Sequence, residues 1–306
     1  MSVEKNPLSA EPLTIGCYRR RIAKYNNEIV YTNNNTLFSS TQKPIIVKDS
    51  QIYDIQSNDN SLYMITETGD VTLATENSPV NSISAKCGFF SGIELIDNRY
   101  IAAAHDITHS LRLIDQNNLE TISSMQLPGL ITAFDRSHAS TQIDNLLISI
   151  DDRTISLIDI REMKCETRSN VISSPPLAIL GISGQIAISC EDRKIRIYDA
   201  RKLRSPLATT KHPTTKNGAI ALWASDVKEV ISVGCDEGMT LSIMDENVGQ
   251  FGRAKYLAES PWMTAPVMID GKMSLVTRNG TLHQFTDPIS YFKTLVPSKN
   301  DDEADE

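Results

Sequence analysis

Residues 185–202 read QIAISCEDRKIRIYDARK. Ile186, Ile188 and Cys190 stand two apart, which places them on one face of an extended chain. Ile195 and Ile197 repeat that spacing after Glu191-Asp192-Arg193-Lys194. The tetrad is too polar to bury and short enough to reverse the chain, and an Asp can bond its own backbone in such a turn. Two β-rich runs around a short polar link predict an antiparallel hairpin.

Weaker copies of the phrase run along the whole chain: NEIVYTNNNTLF, SLYMITETGDVTLA, RYIAAAHDITHSLRLID, NLLISIDDRTISLID, EVISVGCDEGMTLSIMD and KMSLVTRNGTLHQF. The first apolar residues of their second strands, with that of the quoted stretch, are Leu37, Val71, Leu111, Ile155, Ile195, Leu241 and Leu282, spaced 34 to 46 residues apart. A period of roughly 40–45 residues with four strands per unit is the signature of a WD-type propeller. An isolated hairpin would not recur in this way. The expected fold is all-β, a seven-bladed WD40-like β-propeller over residues 13–296, closed because each blade needs neighbours to cover its faces.

The phrases RTISLIDIRE, RKIRIYDARK and SLRLIDQNN resemble the closing segments of WD40 repeats, in which a Thr-apolar-x-apolar-Trp-Asp pattern ends the third strand of a blade. The aligned tails are Ile114-Asp115, Ile158-Asp159, Tyr198-Asp199 and Met244-Asp245, and the family's turn Asp matches Asp152 and Asp192. The chain departs from the family at the Trp-Asp position, which neither Trp223 nor Trp262 occupies, and it has no Gly-His dipeptide; His212 is a lone stand-in for the family's His. The resemblance implies the fold and leaves the subfamily open.

Hydrophobic residues make up 40% of the 306 residues, enough for a sizeable core, with Ile and Leu carrying the packing because aromatics are only 6%. The net charge of −8 argues against non-specific duplex binding, which depends on neutralising phosphates. Residues 1–12, polar and holding Pro7 and Pro12, are expected to form a flexible arm. Leu13–Cys17 then closes the ring, with Tyr291–Val296 as the competing segment. The acidic run within 297–306 is expected to be a disordered tail. The N-terminus lacks the apolar run of a signal peptide and no stretch has the ~20 apolar residues that span a bilayer. Five scattered cysteines are read as reduced thiols, which fits the nucleus or the cytoplasm.

No catalytic or metal motif stands out, and no cofactor is expected. His105 and His109 are four apart but lie in a long turn, so helical ligand spacing does not apply. Candidate partner-binding residues are cations. Arg19, Arg20 and Arg21 with Lys24 form the densest basic cluster, read either as a contact for an acidic partner or nucleic acid or as an exposed edge strand kept soluble by charge. Arg193, Lys194, Arg201, Lys202 and Arg204 form a second region. Asp159-Ile160-Arg161 and Asp199-Ala200-Arg201 resemble the WDxR box of substrate receptors that dock on a cullin-4 ligase adaptor, which would give Arg161 and Arg201 that role; the plainer reading pairs each Arg with a nearby acid. The expected function is a non-catalytic scaffold or adaptor that binds one or more proteins within a multisubunit complex, with an RNA- or chromatin-associated assembly as one setting. The alternatives are a cullin-4 type substrate receptor and a hydrolase on a propeller scaffold.

Overall fold

The computed structural model describes residues 2–14, 19–58, 61–75, 78–84, 92–96, 99–105, 109–129, 131–136, 145–150, 153–182, 184–211, 218–224, 229–234, 238–243 and 253–295. The described strands form seven four-stranded antiparallel sheets. The first sheet holds Ile22–Tyr25, Glu28–Asn33, Thr36–Ser39 and Pro44–Val47. The second holds Ile52–Asn58, Ser61–Thr66, Asp70–Thr75 and Ser78–Ser84, and the third holds Ile93–Ile96, Tyr100–His105, Ser110–Asp115 and Thr121–Gln126. The fourth holds Ile131–Arg136, Asn145–Ile150, Ile155–Asp159 and Lys164–Arg168, and the fifth holds Pro176–Ile182, Gln185–Cys190, Lys194–Asp199 and Ala208–Lys211. The sixth holds Ala219–Ala224, Glu229–Gly234, Gly238–Ile243 and Arg253–Leu257. The seventh takes Val267–Ile269, Lys272–Val276 and Thr281–Phe285 from the end of the chain and Val3–Pro7 from its start.

Local chemistry sets the hairpins. Asn26 (φ 49°) and Asn27 (φ 61°) turn the first two strands of the first sheet, and Asp270 (φ 49°) with Gly271 (φ 73°) does the same in the seventh. Paired positive φ values match the right-handed twist of the strands they join, and Asn and Asp-Gly tolerate them. The quoted stretch folds as expected: Ile188 lies opposite Arg196 and Ala187 opposite Ile197, and Asp192 Oδ1 accepts the Lys194 N–H at 3.2 Å. Arg193 takes a left-handed φ of 64° and donates its N–H to Cys190 O at 3.0 Å. Gly69 and Gly280 close the equivalent turns of two other sheets, each donating to the residue three before it at 2.9 Å.

The sheets close into a propeller. First strands of neighbouring sheets touch, as Ile131–Arg136 does Pro176–Ile182, so these strands line the axis and fourth strands form the rim. Every seam between neighbours carries its own apolar cluster. Leu37 and Ile52 meet between the first and second sheets, Ile65 and Ile101 between the second and third, and Leu113 and Ile158 between the third and fourth. Ile155 and Ile188 fill the next seam, Ile197 and Leu222 the one after, and Val233 and Phe285 the sixth. Leu8, Leu13, Ile22 and Leu282 seal the last seam, between the seventh sheet and the first.

That seam corrects the expectation for the termini. Residues 1–12 are not a flexible arm: Val3–Pro7 pairs antiparallel with Thr281–Phe285. The ladder is extended by Leu8 N–H to Gly280 O at 2.8 Å, and Lys272 Nζ reaches Glu4 at 2.7 Å. The strand shows no apolar alternation because it forms the outer edge, where polar side chains and Pro are tolerated. Leu13 is buried but makes a single ladder-like bond, to Arg278 O at 2.7 Å, and residues 15–18 lie outside the described residues. The competing segment is instead the helix Pro288–Thr294, capped by Asp287 and packed by Ile289 and Phe292 against the last seam but one. The third sheet's inner strand is Ile93–Ile96, and residues 85–91 are outside the described set, as is the 297–306 tail. No helix among the described residues is long and apolar enough to cross a membrane.

Because Val3–Pro7 completes the seventh sheet and Leu8 fills the seam between it and the first, removing residues 1–9 is expected to lower Tm by about 5 °C or more. Circular dichroism melts measure this, and an unchanged Tm contradicts the closure.

Candidate functional site

Arg19, Arg20 and Arg21 enter the first strand of the first sheet, at the axis. They were read either as a contact for an acidic partner or nucleic acid or as an exposed edge strand; both readings need them at the surface, and the structure corrects this, since Arg20 is 9% and Arg21 0% exposed. Arg20 grips Asp54 with two bonds, Nε to Oδ1 at 2.8 Å and Nη2 to Oδ2 at 2.7 Å, and its Nη1 donates to Glu94 Oε2 at 3.2 Å. Arg19 donates to Ile93 O at 2.8 Å, to Glu94 Oε2 at 2.9 Å and to Phe134 O, and its guanidinium lies 4.3 Å from the centre of the Phe134 ring. The backbone of Arg19 bonds Tyr53 O and the Ala265 N–H, both at 3.1 Å. Arg21 Nη2 donates to Thr14 O. Two side chains thus join the inner strands of the second, third and fourth sheets.

The carboxylates are themselves held. Asp54 Oδ2 accepts the Ile93 N–H at 2.9 Å. Gln56 accepts the Leu95 N–H at 2.7 Å and donates to Glu94 Oε1 at 3.1 Å. At Gly92 a Cβ would lie 3.0 Å from Arg19 Cδ and 3.2 Å from Asp54 Oδ2, so a side chain there would crowd the hub. Burial by itself would lower the Arg20 pKa, but Asp54 and Glu94 more than reverse this and hold it above its ordinary value. Burial pushes the Glu94 carboxyl up, and Arg20 and Arg19 outweigh it, leaving it below the usual carboxylate range. Arg19 and Arg20 face Asp54 and Glu94, with Asp135 adding to the negative field on Arg20, so these two guanidinium groups are matched inside the ring. Lys24, expected with the cluster, is half-exposed and pairs with Asp270 at 2.6 Å.

The two Asp-x-Arg phrases have a local role. Asp159 Oδ1 accepts the Arg161 N–H at 2.9 Å and Asp199 Oδ1 the Arg201 N–H at 2.8 Å. Asp115 makes the same bond to Asn117 at 2.8 Å, with no Arg present. Each Asp therefore terminates a third strand by holding the N–H two residues on. Arg161 folds back onto its own Asp159, Nη2 to Oδ2 at 3.1 Å, and that bond holds the Asp159 carboxyl below its ordinary range. Arg201 stays out, its side chain 86% exposed and its Nε 3.8 Å from Asp199.

In the 193–204 region Lys202 and Arg204 are exposed, and Lys194 lies 4.0 Å from Asp192. Arg193 serves the turn through its left-handed backbone. The structure keeps these cations outside and Arg19–Arg21 inside. Arg196, which sequence reasoning passed over, is buried and grips Asp192 at 2.6 and 3.1 Å beside Cys190, whose thiol burial pushes up to about 11.

A second internal polar cluster lies between the sixth and seventh sheets. Tyr256 Oη and His283 Nδ1 are 3.0 Å apart, and the Trp262 ring stands edge-on to His283 at 5.0 Å. Burial, and to a smaller extent Lys5 directly across the N-terminal ladder, moves His283 from 6.5 down to about 4. The missed residues left a trace in the sequence: Asp54 and Glu94 interrupt otherwise apolar inner strands, IYDIQ and IELI, where a buried carboxylate requires a partner. Among the described residues no group of three or more His, Cys, Asp or Glu is placed to hold a metal ion. His138 and His212, and the middle of the 105–109 turn, lie outside the described residues.

Two outcomes test these clusters. Asp54→Ala is expected to cost about 3–5 kcal/mol, since it strands a buried guanidinium; urea unfolding at neutral pH measures it, and a loss below about 1 kcal/mol contradicts the hub. Because folding favours neutral His283, stability is full above 6.5 and falls as pH drops toward about 4, by about 3 kcal/mol in all. His283→Leu should flatten the profile between pH 6.5 and 5, a window that lies above the range where the Glu94 pair responds.

No family model matches the chain. No curated protein matches it in sequence. Among solved structures it is similar to the computationally designed Ika8 protein, with a TM-score of 0.66 and 14% identity over 86% of this chain and 82% of that one. At that identity the likeness speaks for the β-propeller fold alone.

Proposed function

We propose that the chain is a seven-bladed, WD40-like propeller acting as a non-catalytic scaffold that holds partner proteins in a multisubunit complex. The observation that carries this reading is the sorting of its arginines. Arg19 and Arg20 at the axis are spent on internal carboxylates, which stiffens the ring, while Arg201, Lys202 and Arg204 stand exposed on a loop. A rigid frame with exposed loops is where binding residues gather. Affinity in such a platform comes from a few apolar and Arg anchors. The WD40-like character is supported by the repeated third-strand endings at Asp115, Asp159 and Asp199. The compartment this reading implies is the nucleus or the cytoplasm.

Affinity purification from native extract with quantitative mass spectrometry is expected to recover stable, stoichiometric protein partners. Recovery only as a free monomer overturns the scaffold role.

A further inference from the structure

Where the fourth and fifth sheets meet, two loops lock together. Asn170 Nδ2 donates to Arg204 O at 3.0 Å, and the Ile172 N–H to Arg153 O at 2.7 Å. Ile172, Ala200 and Leu203 are buried in one shared cluster beneath them. The outer residues of the same loops face solvent. Val171 is 63% and Leu207 62% exposed, the two largest exposures of large apolar side chains among the described residues of the fourth and fifth sheets and their loops. On the same loops Arg153, Arg201, Lys202 and Arg204 are exposed. Residues 200–217 contain no Asp or Glu, on a chain whose net charge is −8. Of the neighbouring carboxylates, Asp192 is engaged by Arg196 and Asp159 by Arg161, while Asp199 stands 3.8 Å from Arg201 Nε and takes part of that one guanidinium's charge. Two exposed aliphatic side chains and four exposed cations on loops joined in this way, in a chain of net charge −8, call for an occupant with the opposite pattern.

We propose that this joint, Arg153, Val171, Arg201, Lys202, Arg204 and Leu207, is a docking surface for a short acidic peptide segment carrying aliphatic side chains. This rests on the scaffold reading and names the chemistry of its partner. The carboxylates of the segment face the guanidinium and ammonium groups, which steers the encounter and fixes register. Its aliphatic side chains cover Val171 and Leu207, which supplies affinity that charge on an exposed rim does not. Single-stranded nucleic acid fits less well, because its bases need aromatic platforms to stack on and the two apolar side chains at this joint are aliphatic.

The test uses the purified full chain and fluorescence anisotropy with three labelled probes: a peptide of Asp, Glu, Leu and Val; the same peptide with Ser in place of Leu and Val; and oligo(dT). The first probe is expected to bind, more weakly as salt rises. Arg201→Glu with Arg204→Glu should weaken it by about tenfold or more, and Val171→Ser with Leu207→Ser by about fivefold. Circular dichroism melts of both variants should match the parent, as these side chains are exposed. Absence of binding, equal binding of the Ser peptide or oligo(dT), or indifference to both variants overturns the proposal. If the charge-reversed chain still recovers stoichiometric partners from native extract, this surface falls and the scaffold reading stands; if the parent chain itself recovers none, the scaffold reading falls.

Discussion

A four-stranded sheet with apolar side chains on both faces has no stable existence alone. In this protein the main cover for each face is the next sheet, and each of the seven seams among the described residues holds an apolar cluster of its own. Short loops and irregular turns are tolerated because the seams, and not the connections, decide where each sheet sits. The last seam differs from the rest in one respect: it exists only if the two ends of the chain meet. Leu8 and Leu13 contribute to it directly, so the polar N-terminal segment carries a structural role out of proportion to its composition.

Polar groups at the axis obey a different constraint. A buried guanidinium costs several kcal/mol in lost hydration, and a well-placed carboxylate offsets this without a large surplus. The hub formed by Arg19, Arg20, Asp54 and Glu94 therefore adds orientation more than raw stability. It fixes three inner strands relative to one another through directional bonds, which apolar contacts cannot do. A platform that presents loops at fixed spacing benefits from such a tie. The rim cations are under no such restraint and remain available.

The hairpin period was legible because it is carried by apolar alternation, which every sheet needs. The turns were legible where their residues have a conformational signature, as at Asp192. The arginine cluster was visible as charge but not as structure, since its partners lie 34 and 74 residues away in the chain and nothing local to RRR names them. Asp54 and Glu94 were readable in retrospect as charges on inward positions. The N-terminal strand was invisible for the opposite reason. An outer strand held through its backbone leaves VEKNP free to be polar, and the pattern that marks inner strands never forms.

The pairing of Val3 with Phe285 also orders events in time. During synthesis Val3–Pro7 leaves the ribosome long before the strand it pairs with. It must wait, with its edge open, until Thr281–Phe285 has emerged. Contacts of such long sequence separation form late and slowly, and an idle strand is a hazard for misassembly between nascent chains. The acidic and basic side chains of Glu4 and Lys5, of no use for burial, keep that waiting segment soluble until its own ring claims it.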